Sequence, residues 1–187
     1  MVHNRAHFES KENRLARFRN GPPSGTIETL LNSIANFFNN EIALAPTPGH
    51  YQTSLLFLGI HAAALIIAEA FWNKTGLEGY KRYLTVFVDG DSEDTKFSNI
   101  ASIIHDWRNV LAHQWLGSVG HEIGYDYGMS HGFENRNGVT FINPKIYCDY
   151  YLKAFSVGGK IWDYETLFNE NEREMINKRI IKKYIER

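Results

Sequence analysis

The stretch Leu55–Ala68 reads LLFLGIHAAALIIA, apolar throughout except for Gly59 and His61. It is shorter than the ~20 residues that a membrane-spanning helix needs, it carries an imidazole in its middle, and Glu69 follows at once. The pattern predicts a buried core helix from about Tyr51 to Lys74, with no membrane partner. His61 and Glu69 are eight residues apart on that helix and can share one face. A buried carboxylate calls for a cation, and Arg108 is a candidate partner for Glu69.

The rest of the chain divides at its prolines and glycines. Residues 1–24 form a basic N-terminal arm, with Arg5, Lys11, Arg14, Arg17 and Arg19 against Glu9 and Glu12, closed by Gly21-Pro22-Pro23-Ser24-Gly25. The arm lacks the apolar centre of a secretory signal. Residues 25–187 are read as one domain. Thr26 is the expected cap of a helix carrying Ile27, Leu30, Leu31, Ile34, Phe37 and Phe38 at helical spacing, ending before Pro46. Gly76 and Gly79 mark the end of the long apolar helix, and Tyr80–Val88 continues as a short helix. The acidic run Asp89–Asp94 is a loop leading to a helix start at Asp91 or Ser92. It fails as a calcium loop, because its sixth position is Asp94 and its twelfth Ile100. The next helix spans about Glu93 to Trp115. Ile123, Tyr125 and Tyr127 alternate, and Val139–Ile142 is a second β-like run, so a hairpin is expected across 122–142. Pro144 opens another helix, and the last runs from near Tyr164 with Met175, Ile176, Ile180 and Tyr184 as its stripe. The fold class is mainly α: a bundle of about five or six helices with a small β-hairpin insertion after the helix that holds residues 100–115.

Charge and cysteine content narrow the function. Twenty Lys and Arg face 21 Asp and Glu, a net charge of -1, which excludes a generally basic nucleic-acid coat. Cys148 stands alone, so neither an internal disulfide nor a cysteine-rich zinc module can form. These features fit a cytoplasmic protein.

Residues 100–115, IASIIHDWRNVLAHQW, carry the chemistry. On a helical wheel with Trp107 at zero, Ile100, Ile103, Ile104, Val110, Leu111 and Gln114 fall within about 60° of it and form the expected core face. His105, Asn109 and Ala112 lie opposite. Arg108 takes one shoulder of this polar arc, Asp106 and His113 the other. The arc holds two His, an Asn, an Arg and an Asp in place of the usual Lys and Glu of a solvated face.

Arg108-Asn109-Val110-Leu111-Ala112-His113 resembles the Arg-Asn-x-x-x-His signature of the HEPN superfamily, near the C-terminal end of an amphipathic helix in a mostly helical chain. The resemblance covers six positions, with helical context over about 25–187. It implies a small helical domain that dimerises, and in many members a metal-independent endoribonuclease serving as a toxin or antiphage effector. Cleavage by the RNA's own 2′-hydroxyl needs a group that titrates near neutrality, which suits His113, and fixed positive charge on the phosphate, which suits Arg108. Asn109 would orient His113 or bond the phosphate. Arg108 and His113 lie about 140° apart and ~7.5 Å along the helix, so two such helices across a two-fold axis converge on one phosphate better than one does. The expected partners are a second copy of the chain, RNA and an antitoxin protein; no metal and no organic cofactor is implied. The alternatives are a non-catalytic HEPN-like binding or dimerisation module, and an unrelated helical protein.

His105, Asp106 and Glu69 are the residues expected to flank the site. His121-Glu122 lacks the second His of a zinc-protease helix. His113, His121, His131 and Cys148 match no common zinc spacing. Tyr125, Tyr127, Phe133 and Phe141 are read as packing residues in preference to base-stacking ones. On this reading Arg108→Ala and His113→Ala lose cleavage with the fold intact, and Trp107→Ala loses the fold.

Overall fold

The computed structural model describes residues 10–43, 53–114 and 123–186; the side chains of Lys11, Arg14, Ala112, His113 and Gln114 fall outside that description. The chain is mainly α, with eight α-helices and a three-stranded sheet among the described residues.

Helix α1 (Lys11–Asn20) starts where the Ser10 hydroxyl accepts from the Asn13 amide. It is docked against the domain: Phe18 is buried, and Arg19 forms an ion pair of 2.6 Å with Glu186. Helix α2 (Pro23–Phe37) begins four residues earlier than expected, because Pro23 sits in its first turn where a missing N–H costs nothing. Thr26, the expected cap, is buried inside that helix instead. The helix widens into a π-helical turn over Phe38–Ile42.

Helix α3 (Thr53–Trp72) is the apolar run. It is long and apolar enough to cross a membrane, yet 56% of its most apolar window is buried inside the protein. It packs against α4 (Gly76–Tyr83), α5 (Ala101–Gln114), α6 (Pro144–Phe155) and α8 (Glu170–Ile180), which places it at the centre of the core. Asn73 and Gly76, with φ of 54° and 58°, turn the chain sharply, and α4 begins at Gly76 itself. α4 runs on into a second π-helical turn, Leu84–Val88.

The expected long helix from Glu93 is broken. Glu93–Thr95 and Phe97–Ile100 are 3₁₀ turns, and α5 starts only at Ala101. Asp89 organises this entry: its carboxylate accepts from the Ser98 amide at 2.9 Å and the Ser98 hydroxyl at 2.5 Å. One carboxylate thus does locally what an N-cap would do.

The sheet differs from the single expected hairpin. Strands β2 (Phe133–Arg136) and β3 (Val139–Ile142) are the antiparallel pair, joined at Asn137-Gly138, whose φ values of 54° and 85° suit a two-residue turn. Strand β1 (Ile123–Tyr125) instead pairs parallel to β3, with Gly124 opposite Phe141. The order is β1-β3-β2. The Asn-Gly pair sets the hairpin; the alternation at Ile123–Tyr127 marks a strand but not its partner.

Asn143 links sheet to helix. Its side-chain oxygen accepts from the amides of Lys145 and Ile146 to cap α6, and its Nδ2 donates to the Met129 carbonyl at 2.7 Å. The residue is buried. Asn143→Ala is expected to cost about 2 kcal/mol, a cap plus an unmet buried carbonyl. A urea titration showing no change in midpoint would refute this role.

The last segment splits into α7 (Tyr164–Leu167) and α8, which opens on a reciprocal cap between Asn169 and Glu172. Ile176 and Ile180 are buried as expected, whereas Met175 is exposed. A third π-helical turn, Ile181–Ile185, ends the described chain.

Candidate active site on the motif helix

α5 packs against α3, α4 and β1. Among its described side chains the buried ones are Ala101, Ile104, Trp107 and Leu111. The centre of that face lies near Ile104, about 60° round the helix from Trp107. The expected polar arc is therefore displaced. Arg108 lies within the buried arc, between Ile104 and Ala101, because α4 covers that side of α5.

This explains the unusual state of Arg108. It is half-buried, and its Nε is enclosed with no hydrogen-bond partner. Its Nη1 reaches round to donate to the Asn109 Oδ1 at 3.0 Å. Asn109 was expected to serve His113 or a phosphate; in the structure it holds the Arg108 head. His105, Asn109 and position 113 follow one another at four-residue steps, so they form one stripe along α5. The His113 side chain is outside the described residues, and so is that of Ala112.

His105 is not a solvated flank. Its Nδ1 lies 2.9 Å from the Nε2 of His61, and the two rings are 5.0 Å apart. His61 is fully buried, its ring 4.3 Å from that of Tyr80, and its Nδ1 has no partner. Burial above all, then the charges of His105 and Arg108, pushes the His61 pKa down to about 3. His105 is also lowered, by burial and by Arg108, with Asp106 opposing. Asp106 itself is exposed. Below this pair lies a chain of buried tyrosine hydroxyls: Tyr80 bonds Tyr147, and Tyr147 bonds Tyr151 at 3.1 Å. Burial holds all three phenols well above their ordinary range.

Glu69 stands apart from this group. Its carboxylate pairs with Lys183, and its carbonyl lies 3.5 Å from Arg179 Nη1. The expected Glu69–Arg108 partnership is replaced by one with the C-terminal segment, because α8 covers that end of α3.

The remaining candidates resolve into packing. Tyr125 meets Trp107 and Phe57 edge-on or tilted, and Phe133 packs on Phe97. The Tyr127 hydroxyl bonds Thr53, and Phe141 lies under Arg136. His131 faces Glu134 at 3.2 Å, and the Cys148 thiol is buried and pushed up to about 12. His121 is outside the described residues. Among the described residues no group of three His, Cys, Asp or Glu side chains could hold a metal ion.

Sequence reasoning met His61 and His105 separately but not as a pair. The one available signal was an imidazole inside an apolar helix, which must find a partner. Compared with protein families, with curated proteins and with solved structures, the chain matches none.

Proposed function

We propose that the chain is a HEPN-like, metal-independent endoribonuclease of the cytoplasm, acting as a homodimer on single-stranded or looped RNA, with the role of a toxin or antiphage effector. The observation that carries this reading is the clustering of Arg108, Asn109 and His105 along one edge of α5, with the guanidinium tied to Asn109. A cation and an imidazole held at one edge suit a phosphodiester and a proton transfer. In this reading Arg108 stabilises charge on the phosphate, Asn109 aims the guanidinium, and His113 moves the proton. The partner's copy of the motif completes the cleft, and an antitoxin protein would cover it.

A second reading is a HEPN-like binding or dimerisation module without catalysis. The enclosed Nε of Arg108 favours it, since that nitrogen is closed to a ligand.

RNA incubated with the purified protein in EDTA is expected to be cut, leaving 2′,3′-cyclic phosphate and 5′-hydroxyl ends, while DNA of the same sequence survives. Arg108→Gln, which keeps the packed stem, and His113→Ala should each remove cleavage. Activity that vanishes with EDTA and returns with a divalent metal would sink the mechanism. Intact RNA at every protein concentration would favour the binding module.

A further inference from the structure

We propose that His61 and His105 work as a pair: buried His61 is a positioning residue that fixes His105 as the Nε2–H tautomer, so that His105 presents a neutral N–H donor to the phosphodiester bound by Arg108. This rests on the ribonuclease reading for its ligand, though not for its geometry.

The 2.9 Å contact joins His61 Nε2 to His105 Nδ1. One of these nitrogens must carry the hydrogen and the other the lone pair. His61 Nδ1 decides which, since it is buried with no partner. If His61 carried its hydrogen on Nδ1, a buried N–H would be left unmet. An unmet buried N–H is the rarer and worse outcome, and an unused lone pair the better tolerated one. The hydrogen therefore sits on His61 Nε2 and is donated to His105 Nδ1. Neutral His105 must then hold its own hydrogen on Nε2, the nitrogen on the far side of the ring from His61.

The same arrangement resists protonation of His105. An imidazolium has hydrogens on both nitrogens, so its Nδ1–H would meet the Nε2–H of His61. His61 would have to shift its hydrogen to the enclosed Nδ1. The groups around His105 are His61 from α3, Tyr80 from α4, and Asp106 and Arg108 from α5. Of these, Asp106 favours the charged form, and Arg108 opposes it. Burial and Arg108 already lower the His105 pKa, and the His61 contact acts in the same direction through its geometry.

The consequence is a division of labour. Arg108 and His105 hold the phosphate as donors, one charged and one neutral. The proton transfers fall to His113, four residues beyond Asn109 on the same stripe. Tyr80, its ring tilted against that of His61 at 4.3 Å, keeps that ring in place without bonding to its Nδ1.

The test is long-range proton–nitrogen NMR on the full chain labelled in histidine, from pH 5 to 8. The wild type should show His105 as the Nε2–H tautomer with a pKa below 6.5. His61→Gln, whose amide offers an N–H at similar reach, should keep that tautomer. His61→Phe should let His105 mix tautomers and titrate at a higher pH than in the wild type, with burial and Arg108 still holding it down. An uncleavable 2′-O-methyl RNA oligonucleotide should shift the His105 Nε2 signal, and Arg108→Gln should abolish that shift. An Nδ1–H tautomer in the wild type overturns the proposal even where His61→Phe does not fold. So does an oligonucleotide that binds and leaves His105 unmoved. If the His105 tautomer and the oligonucleotide shift are as expected but unmodified RNA is never cut, the pair stands and the ribonuclease reading falls.

Discussion

Trp107→Ala is expected to cost roughly 3–5 kcal/mol, the range for truncating a buried Trp. Trp107 is 6% exposed and meets two aromatic rings edge-on: Phe57 of the central helix at 5.1 Å and Tyr125 of the sheet at 4.9 Å. Its removal opens a cavity where α3, α5 and β1 meet, and a loss of that size is a large part of a small domain's stability. A thermal melt should show the loss as a fall of many degrees. Arg108→Ala is the informative neighbour. The position is half-buried, so its cost should exceed that of a surface change: about 1 kcal/mol, from the lost packing of the stem. If Arg108→Ala unfolds the protein as badly as Trp107→Ala, Arg108 belongs to the scaffold, and the non-catalytic reading takes the lead.

Acid should unfold this protein earlier than its carboxylates alone would bring about. His61 has an ordinary pKa of 6.5 and a folded value of about 3. Below pH 6.5 the unfolded chain takes up a proton there that the folded chain refuses. Stability from this group is therefore complete above pH 6.5 and is lost as pH falls towards 3, at about 1.4 kcal/mol per pH unit. Glu93, Asp126 and Glu134 are also lowered, from ordinary values of 4.5, 3.8 and 4.5, so they add their own losses only below about that range. The window from pH 6.5 to 4.5 isolates the histidines, and roughly 2–3 kcal/mol should disappear across it. His61→Gln cannot titrate and should flatten that limb in urea melts taken every half unit. An equally steep limb in His61→Gln would mean that His61 is not the source.

The central helix was legible because periodicity and length need no knowledge of partners. The start of α6 at Pro144 was legible because proline suits the first turn of a helix, whereas its cap by Asn143 was not read. Arg108 was misplaced by the wheel. The apolar residues of α5 are spread widely enough that their centre depends on which side a second helix covers, and α4 is not encoded in α5. Strand β1 was found and its partner mistaken, because alternation fixes the face of a strand and not its neighbour. The His61–His105 bond joins residues 44 positions apart on two helices, and nothing local in either segment points to the other. Glu69 went to Lys183 for a like reason: charge demand can be read from a sequence, but which of twenty Lys and Arg meets it is a property of the packing.

Among the described residues three helices end in π-helical turns, at Phe38–Ile42, Leu84–Val88 and Ile181–Ile185. Each wider turn holds about one residue more than an α-turn would. The chain can thus lose a residue at any of them by tightening to α, and the residues on either side stay in phase. No such reserve exists in α3, where one deletion would rotate everything beyond it by about 100° and carry His61 or its packing partners off the face they share. Deletions are therefore expected to be absorbed at these three turns and not in the helix at the centre.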